Sequence, residues 1–144
     1  MLEMFSKILA PVDGSENSFR AIKAAIFLAQ KLGSDVLVLH VLENLPKLYI
    51  ESQKILNDLL AARTKEGRDI LNSCLEEAKK SNVSIKTELL EGDAASIILE
   101  LSNKENFDAI FMGSRGLGRF KELFLGSVSS KVLHHAKCLV LLVK

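Results

Sequence analysis

The 144-residue sequence contains no tryptophan and a single tyrosine, and aromatic residues make up only 6% of it. So few aromatic faces argue against a surface that stacks nucleobases along a single strand. An excess of charge is also lacking, since 19 basic and 18 acidic side chains leave a formal +1. A near-neutral chain offers no electrostatic case for a nucleic-acid partner or a membrane surface. There are two cysteines, Cys74 and Cys138, far apart and in neither metal nor redox spacing. They read as reduced, buried thiols. No apolar run approaches the ~20 residues of a membrane span, and no signal peptide precedes the first apolar run. A cytoplasmic protein is expected.

What is present has an ordinary globular balance, 48% apolar and 26% charged. The length suits one domain over residues 1–144, enough to bury roughly two-thirds of the unfolded surface. Lys7 to Val12 is a short apolar run ending in Asp13-Gly14-Ser15, and Pro11, which cannot donate to a sheet ladder, belongs near the strand's end. Ser15 or Asn17 can cap the next helix, where Phe19, Ile22, Ile26 and Ala29 recur at helical spacing before Gly33 stops it. Asp35 to Val41 is apolar almost throughout, as in a strand covered on both faces. After a loop from Leu42 to Tyr49, a long helix is predicted from about Ser52 to Lys80. Its apolar face is Leu56, Leu59, Leu60, Ile70, Leu71, Cys74, Leu75 and Ala78, with Gly67 within it for close packing on a neighbour. Val83 to Leu90 alternates and reads as a half-exposed edge strand. Asp93 can cap a helix carrying Ile97, Ile98 and Leu101. The buried strand Ala109 to Met112, a glycine loop, a helix to about His135 and a strand Leu139 to Val143 complete the chain. The order βαβαβαβαβ implies an α/β fold, a parallel sheet with helices on both faces and right-handed crossovers.

The most informative stretch is Met112-Gly113-Ser114-Arg115-Gly116-Leu117-Gly118-Arg119-Phe120, continuing to Gly126-Ser127-Val128. A strand that opens into glycines and then a helix N-terminus suits phosphate, because main-chain N–H groups can form a concave nest and the helix adds partial positive charge. Neither G-x-x-x-x-G-K-[ST] nor G-x-G-x-x-G after the first strand is present. Anionic charge would therefore meet backbone N–H groups, the hydroxyls of Ser114, Ser127 and Ser129, Arg115 or Arg119, or a bound Mg²⁺. Glycine-rich turns also arise for plain conformational reasons, so the spacing alone leaves both readings open.

Pro11-Val12-Asp13-Gly14-Ser15, His40-Val41, and Met112-Gly113-Ser114-Arg115-Gly116 through Gly126-Ser127-Val128 resemble the universal stress protein family in its ATP-binding branch. The resemblance covers nearly the whole chain. It implies a five-stranded parallel sheet in the order 3-2-1-4-5, a Rossmann-like, adenine nucleotide alpha hydrolase-like fold. It also implies ATP, or ADP or AMP, in the site. Pro11, Val12, Asp13 and Val41 would lie at the adenine or ribose. Met112, Gly113, Ser114, Arg115, Gly116, Gly118, Arg119, Gly126, Ser127, Val128 and Ser129 would surround the phosphates. It implies further a homodimer through the last strand and a regulatory, stress-response role. The prolines common in the family beside Cys138 and at Ala94 are absent here.

Two readings of Asp13 stay open: a ligand to ribose or Mg²⁺, or a turn residue bonded to its own backbone. His40 reads as a hydrogen-bonded core histidine, and His134 and His135 as cations at a helix C-terminus. No nucleophile–base–orienter set is visible, so at most slow ATP hydrolysis or phosphoryl or adenylyl transfer is expected. A non-nucleotide dimerisation module of the same fold is the remaining alternative.

Overall fold

The computed structural model of the chain describes residues 5–45, 52–115 and 125–144. Strands and helices alternate as β1 (Lys7–Pro11), α1 (Glu16–Leu32), β2 (Asp35–Leu42), α2 (Gln53–Lys80), β3 (Lys86–Glu91), α3 (Ala94–Lys104), β4 (Ala109–Gly113), α4 (Ser127–His135) and β5 (Leu139–Val143). All strand pairs are parallel, in the order β3-β2-β1-β4-β5. The predicted α/β sheet and strand order are those observed.

Alternation of side chains along the strands divides the core into two layers. On one face Ile8, Ala10, Val36, Val38, Ala109 and Phe111 meet Ile22, Ala25 and Ile26 of α1 and Leu71, Cys74 and Ala78 of α2. On the other, Leu9, Leu39, Ile110 and Met112 meet Ala95 and Ile98 of α3 and Val132 of α4. Both faces of the central strands are covered, which is why their sequences are continuous apolar runs rather than alternating ones. Every residue of β4 is buried. β3 lies at one edge, as its alternation predicts, but starts at Lys86 rather than Val83. Val83 and Ile85 pack against the first layer ahead of the strand. The chain leaves α2 through Asn82 at φ 54°, with the amide of Val83 bonded to the Ala78 carbonyl.

The predicted apolar face of α2 is correct only in its second half. Gly67, Leu71, Cys74 and Ala78 are buried, whereas in the first half Leu56 and Leu60 are only half-buried and Leu59 is 40% exposed. The cause is length. Twenty-eight helical residues span ~42 Å, whereas the eight residues of β2 span ~26 Å. Running antiparallel to the strands, α2 overshoots their carboxyl ends, and its first turns have no sheet beneath them.

Gly67 marks where α2 crosses that end of the sheet. A Cβ there would lie 2.8 Å from His40 Cδ2 and 3.0 Å from Leu89 Cδ1. The His40 ring is held by a hydrogen bond to the Val12 carbonyl and cannot yield freely. Gly67→Ala is therefore expected to destabilise by about 1–2 kcal/mol net of its better helix propensity, measured by urea unfolding. Equal or greater stability would show that the contact gives way without cost.

Candidate functional site

In a parallel sheet every carboxyl end lies on one side, and ligands collect where strand order reverses. Here that point is between β1 and β4, since the chain proceeds from β1 outward to β3 and then returns to β4. The β1 end turns at Asp13, whose Oδ1 accepts from the Ser15 amide at 2.9 Å. Ser15 in turn caps α1 by accepting from the Ser18 amide at 3.2 Å. The turn reading of Asp13 is thus realised with one carboxylate oxygen; the other has no partner among the described residues.

The β4 end is pressed against the same turn. A Cβ at Gly113 would lie 2.8 Å from the Ser18 backbone nitrogen and 2.9 Å from the Asn17 carbonyl carbon. Only glycine lets α1 start this close to β4. Ser114 then turns inward: its amide donates to the Val143 carbonyl at 2.8 Å and its carbonyl accepts from the Gly126 amide at 2.9 Å. Ser129, buried, shares its hydroxyl proton between the carbonyls of Ser114 (2.8 Å) and Gly126 (3.1 Å). The two ends of the glycine loop are therefore fastened together at the base of α4.

This fastening decides which groups remain for a ligand. The amides of Ser114 and Gly126 and the hydroxyl of Ser129 are bonded within the protein. The first-turn amides of α4 are not capped. Ser15, Ser52 and Asp93 cap α1, α2 and α3 by side chain, whereas Gly126 stands at the α4 N-cap with no side-chain hydrogen bond. At Asp93 the hydrogen bonds of Ser96 hold the carboxyl below the usual carboxylate range, as suits a cap used in its ionised form. The α4 end has no such group.

These ends enclose an open cleft of about 470 Å³. Of the predicted site residues, Pro11, Val12, Asp13, Val41, Met112, Gly113, Arg115, Gly126, Ser127, Val128 and Ser129 line it. Ser114 is buried behind it. Gly116, Gly118 and Arg119 lie outside the described residues, as do residues 46–49 of the loop predicted from Leu42 to Tyr49. Arg63, Glu66 and Ile70 of α2, Ala94 and Ile98 of α3, and Glu43 also line the cleft and were not predicted. The signal for the α2 group was the spacing of Arg63, Glu66 and Ile70 around Gly67, one face of a helix too long for its sheet. Among the described residues no group of three His, Cys, Asp or Glu side chains could hold a metal.

A model described as the universal stress protein family matches residues 4–144. The chain belongs to that family. A universal stress protein of Methanocaldococcus jannaschii, MJ0531, is 33% identical over 98% of this chain and 83% of its own. The universal stress protein UspA from Lactobacillus plantarum has the same fold at a TM-score of 0.88 and 25% identity, covering 97% of this chain and 98% of that one. The universal stress protein from Archaeoglobus fulgidus, solved in complex with dAMP, shares the fold at a TM-score of 0.69 and 22% identity, over 98% of this chain and 99% of that one.

Two groups with reactive chemistry stand apart from the universal stress protein cleft. Cys74 is free and buried, and burial, with the nearby charge of Glu77, pushes its thiol up to about 11. Cys138 is free and half-buried, and burial raises its pKa as well. Neither is a thiolate nucleophile at neutral pH. Among the described residues no helix is long and apolar enough to cross a membrane.

The Ser129 hydroxyl gives a direct test of the loop fastening. Ser129→Ala is expected to cost about 1–2 kcal/mol of unfolding free energy, and Ser127→Ala, at an exposed position, close to nothing. Equal effects in urea unfolding would mean that Ser129 does not hold the loop.

Proposed function

We propose that the cleft holds an adenine nucleotide. Its base would lie against the ends of β1 and β2, its ribose beside Asp13, and its phosphates on the α4 N-terminus. One observation carries this reading: the only described helix without a side-chain cap is the one whose N-terminus opens into the cleft. Unpaired first-turn amides and the partial positive charge of the helix leave a place for an anion, and phosphate fills such a place in many α/β proteins. The volume suits a small cofactor. A fold neighbour was solved in complex with dAMP, a ligand of the same class. Mg²⁺ fits only as a nucleotide-borne ion, held by phosphate oxygens with the second carboxylate oxygen of Asp13 completing its shell.

The same reading makes the protein a nucleotide-responsive regulator in the stress response rather than an efficient catalyst. Two free thiols suit the reducing cytoplasm. Slow phosphoryl or adenylyl transfer is a second reading, favoured by the carboxylates of Asp13, Glu43 and Glu66 along the cleft. Turnover that survives Asp13→Ala in a folded protein would remove Asp13 from such a reaction.

Calorimetric titration with ATP and Mg²⁺ is expected to saturate below millimolar. Ser127→Glu sets a fixed negative charge at the first helical position and is expected to weaken ATP about tenfold or more while leaving adenosine unchanged. The absence of saturable ATP binding, or equal ATP affinity in the two proteins, would overturn the assignment.

We further infer a homodimer through β5. It is an edge strand with one unpaired main-chain side, and Leu139 and Leu141 on one of its faces are 46% and 42% exposed. An apolar edge left bare promotes association, and a second copy of the same edge can cover it by a two-fold axis. Sedimentation should find a dimer at micromolar concentration and a monomer for Leu139→Lys/Leu141→Lys. A monomeric wild-type protein would exclude the interface.

A further inference from the structure

Helix α2 changes character at Gly67. From there on it belongs to the fold. Gly67 lies against the His40 ring and the Leu89 side chain, Ile70 comes within 3.0 Å of where a Gly14 Cβ would stand, and Leu71, Cys74 and Ala78 are core. Before that point, no residue from 53 to 66 enters either core layer or packs against one. Leu56, Leu60, Arg63 and Thr64 are half-buried and the rest are exposed. These roughly four turns depend on local terms, and a helix of that length is marginal in water when nothing packs on it. The boundary itself is glycine, the weakest interior helix former after proline and the residue whose backbone most readily leaves the helix. The segment can therefore unwind as far as Gly67 without removing a contact to either core layer.

One of its side chains gives the segment a reason to stay helical. Arg63 lines the cleft. Among the described residues it has no hydrogen bond or ion pair, although Glu66 lies three positions on and lines the same cleft. Elsewhere on α2, Lys79 and Lys80 do pair with glutamates three positions away. A guanidinium carries five donors in a rigid planar fork and remains charged at any physiological pH. Phosphate oxygens, ribose hydroxyls and the ring nitrogens of a base can all accept from it.

We infer that residues 53–66 of α2 are a flap, which unwinds on its own in the nucleotide-free protein and is held helical over the cleft when a bound nucleotide accepts from Arg63. The inference rests on the nucleotide reading above and extends it to regulation. Folding of the segment and binding of the ligand are linked, so each favours the other by the same factor. Apparent affinity is reduced by the fraction of molecules in which the flap is open. Occupancy then decides whether Ile55 and Leu59, both exposed, are presented on a helical surface.

Hydrogen exchange on the full chain separates the two halves of α2. Without nucleotide, the amides of residues 57–66 should exchange within about tenfold of an unfolded chain, and those of 71–78 about a thousandfold or more slower. Saturating ATP with Mg²⁺ should slow the first group about tenfold or more. Arg63→Ala favours the helix and should match wild type without nucleotide, but should lose most of the slowing at saturating ATP. Ala61→Gly/Ala62→Gly alters exposed positions outside the cleft. It should weaken ATP about threefold or more and leave the exchange of 71–78 in the nucleotide-free protein unchanged. Amides of 57–66 as protected as those of 71–78 in the nucleotide-free protein overturn the flap. Equal slowing by ATP in wild type and Arg63→Ala overturns the part given to Arg63, and ATP affinity untouched by the double glycine variant overturns the coupling. Failure of wild type to bind ATP overturns the nucleotide assignment, while exchange in the free protein still decides whether the segment unwinds by itself.

Discussion

How the central strand ends is the constraint on which the rest of the structure depends. A parallel sheet directs all its carboxyl ends one way, and a strand between two neighbours must release two ladders there. If both ladders simply ran on, β1 would close the crevice between itself and its neighbours. Toward β4 Pro11 lacks a donor, and toward β2 the Val12 carbonyl is bonded to the His40 ring rather than to β2 main chain. Buried backbone groups are rarely left without partners, so groups freed in this way mark where solvent or a ligand belongs. The cleft is the space those two releases open.

Its second wall depends on close approach rather than on release. Gly113 admits the start of α1 to within contact of β4, bringing the Asp13 turn beside the glycine loop. Ser129 and the Gly126 amide then bind the two ends of that loop through the Ser114 carbonyl. The bonded groups set the position and the unbonded ones face outward. Consequently the α4 amides are held at a fixed distance from Asp13 by structure that needs no ligand, and preorganisation of this kind lowers the entropy that binding must overcome.

Much of this was legible in the sequence because the signals were local. Continuous apolar runs gave β1, β2 and β4, alternation gave the edge strand β3, and Gly33 and Asp93 ended and began helices where expected. The glycine–serine spacing located the right end of the sheet. What could not be read was which donors would be consumed. Ser114 and Ser129 have the same hydroxyl as Ser127, and only the fold sends one inward, makes one a clamp and leaves one exposed. Gly113 reads as room for phosphate, yet the atoms nearest its missing side chain belong to Asn17 and Ser18. His40 reads as a hydrogen-bonded core residue; the hydrogen bond is there, but the ring is only half-buried and lines the cleft. Its partner, the Val12 carbonyl, depends on a register that no single-strand pattern contains.

The overshoot of α2 belongs to the same logic. Burial alone does not explain a helix of 28 residues whose first half covers no sheet. That half is held by local means: a Ser52 cap, the helix formers Leu56, Leu59, Leu60, Ala61 and Ala62, and an ion pair between Lys65 and Asp69 that, being exposed, contributes little. Its anchorage is Gly67 on His40 and, beyond it, the buried Leu71, Cys74 and Ala78. Arg63 and Glu66 therefore reach the cleft from a helix fixed at its far end, immediately above His40, whose ring is bonded to the Val12 carbonyl. The roof of the site and the opening of its floor meet at one contact, His40 against Gly67. A disturbance there reaches both, whereas the loop fastened by Ser129 stands on a separate set of bonds.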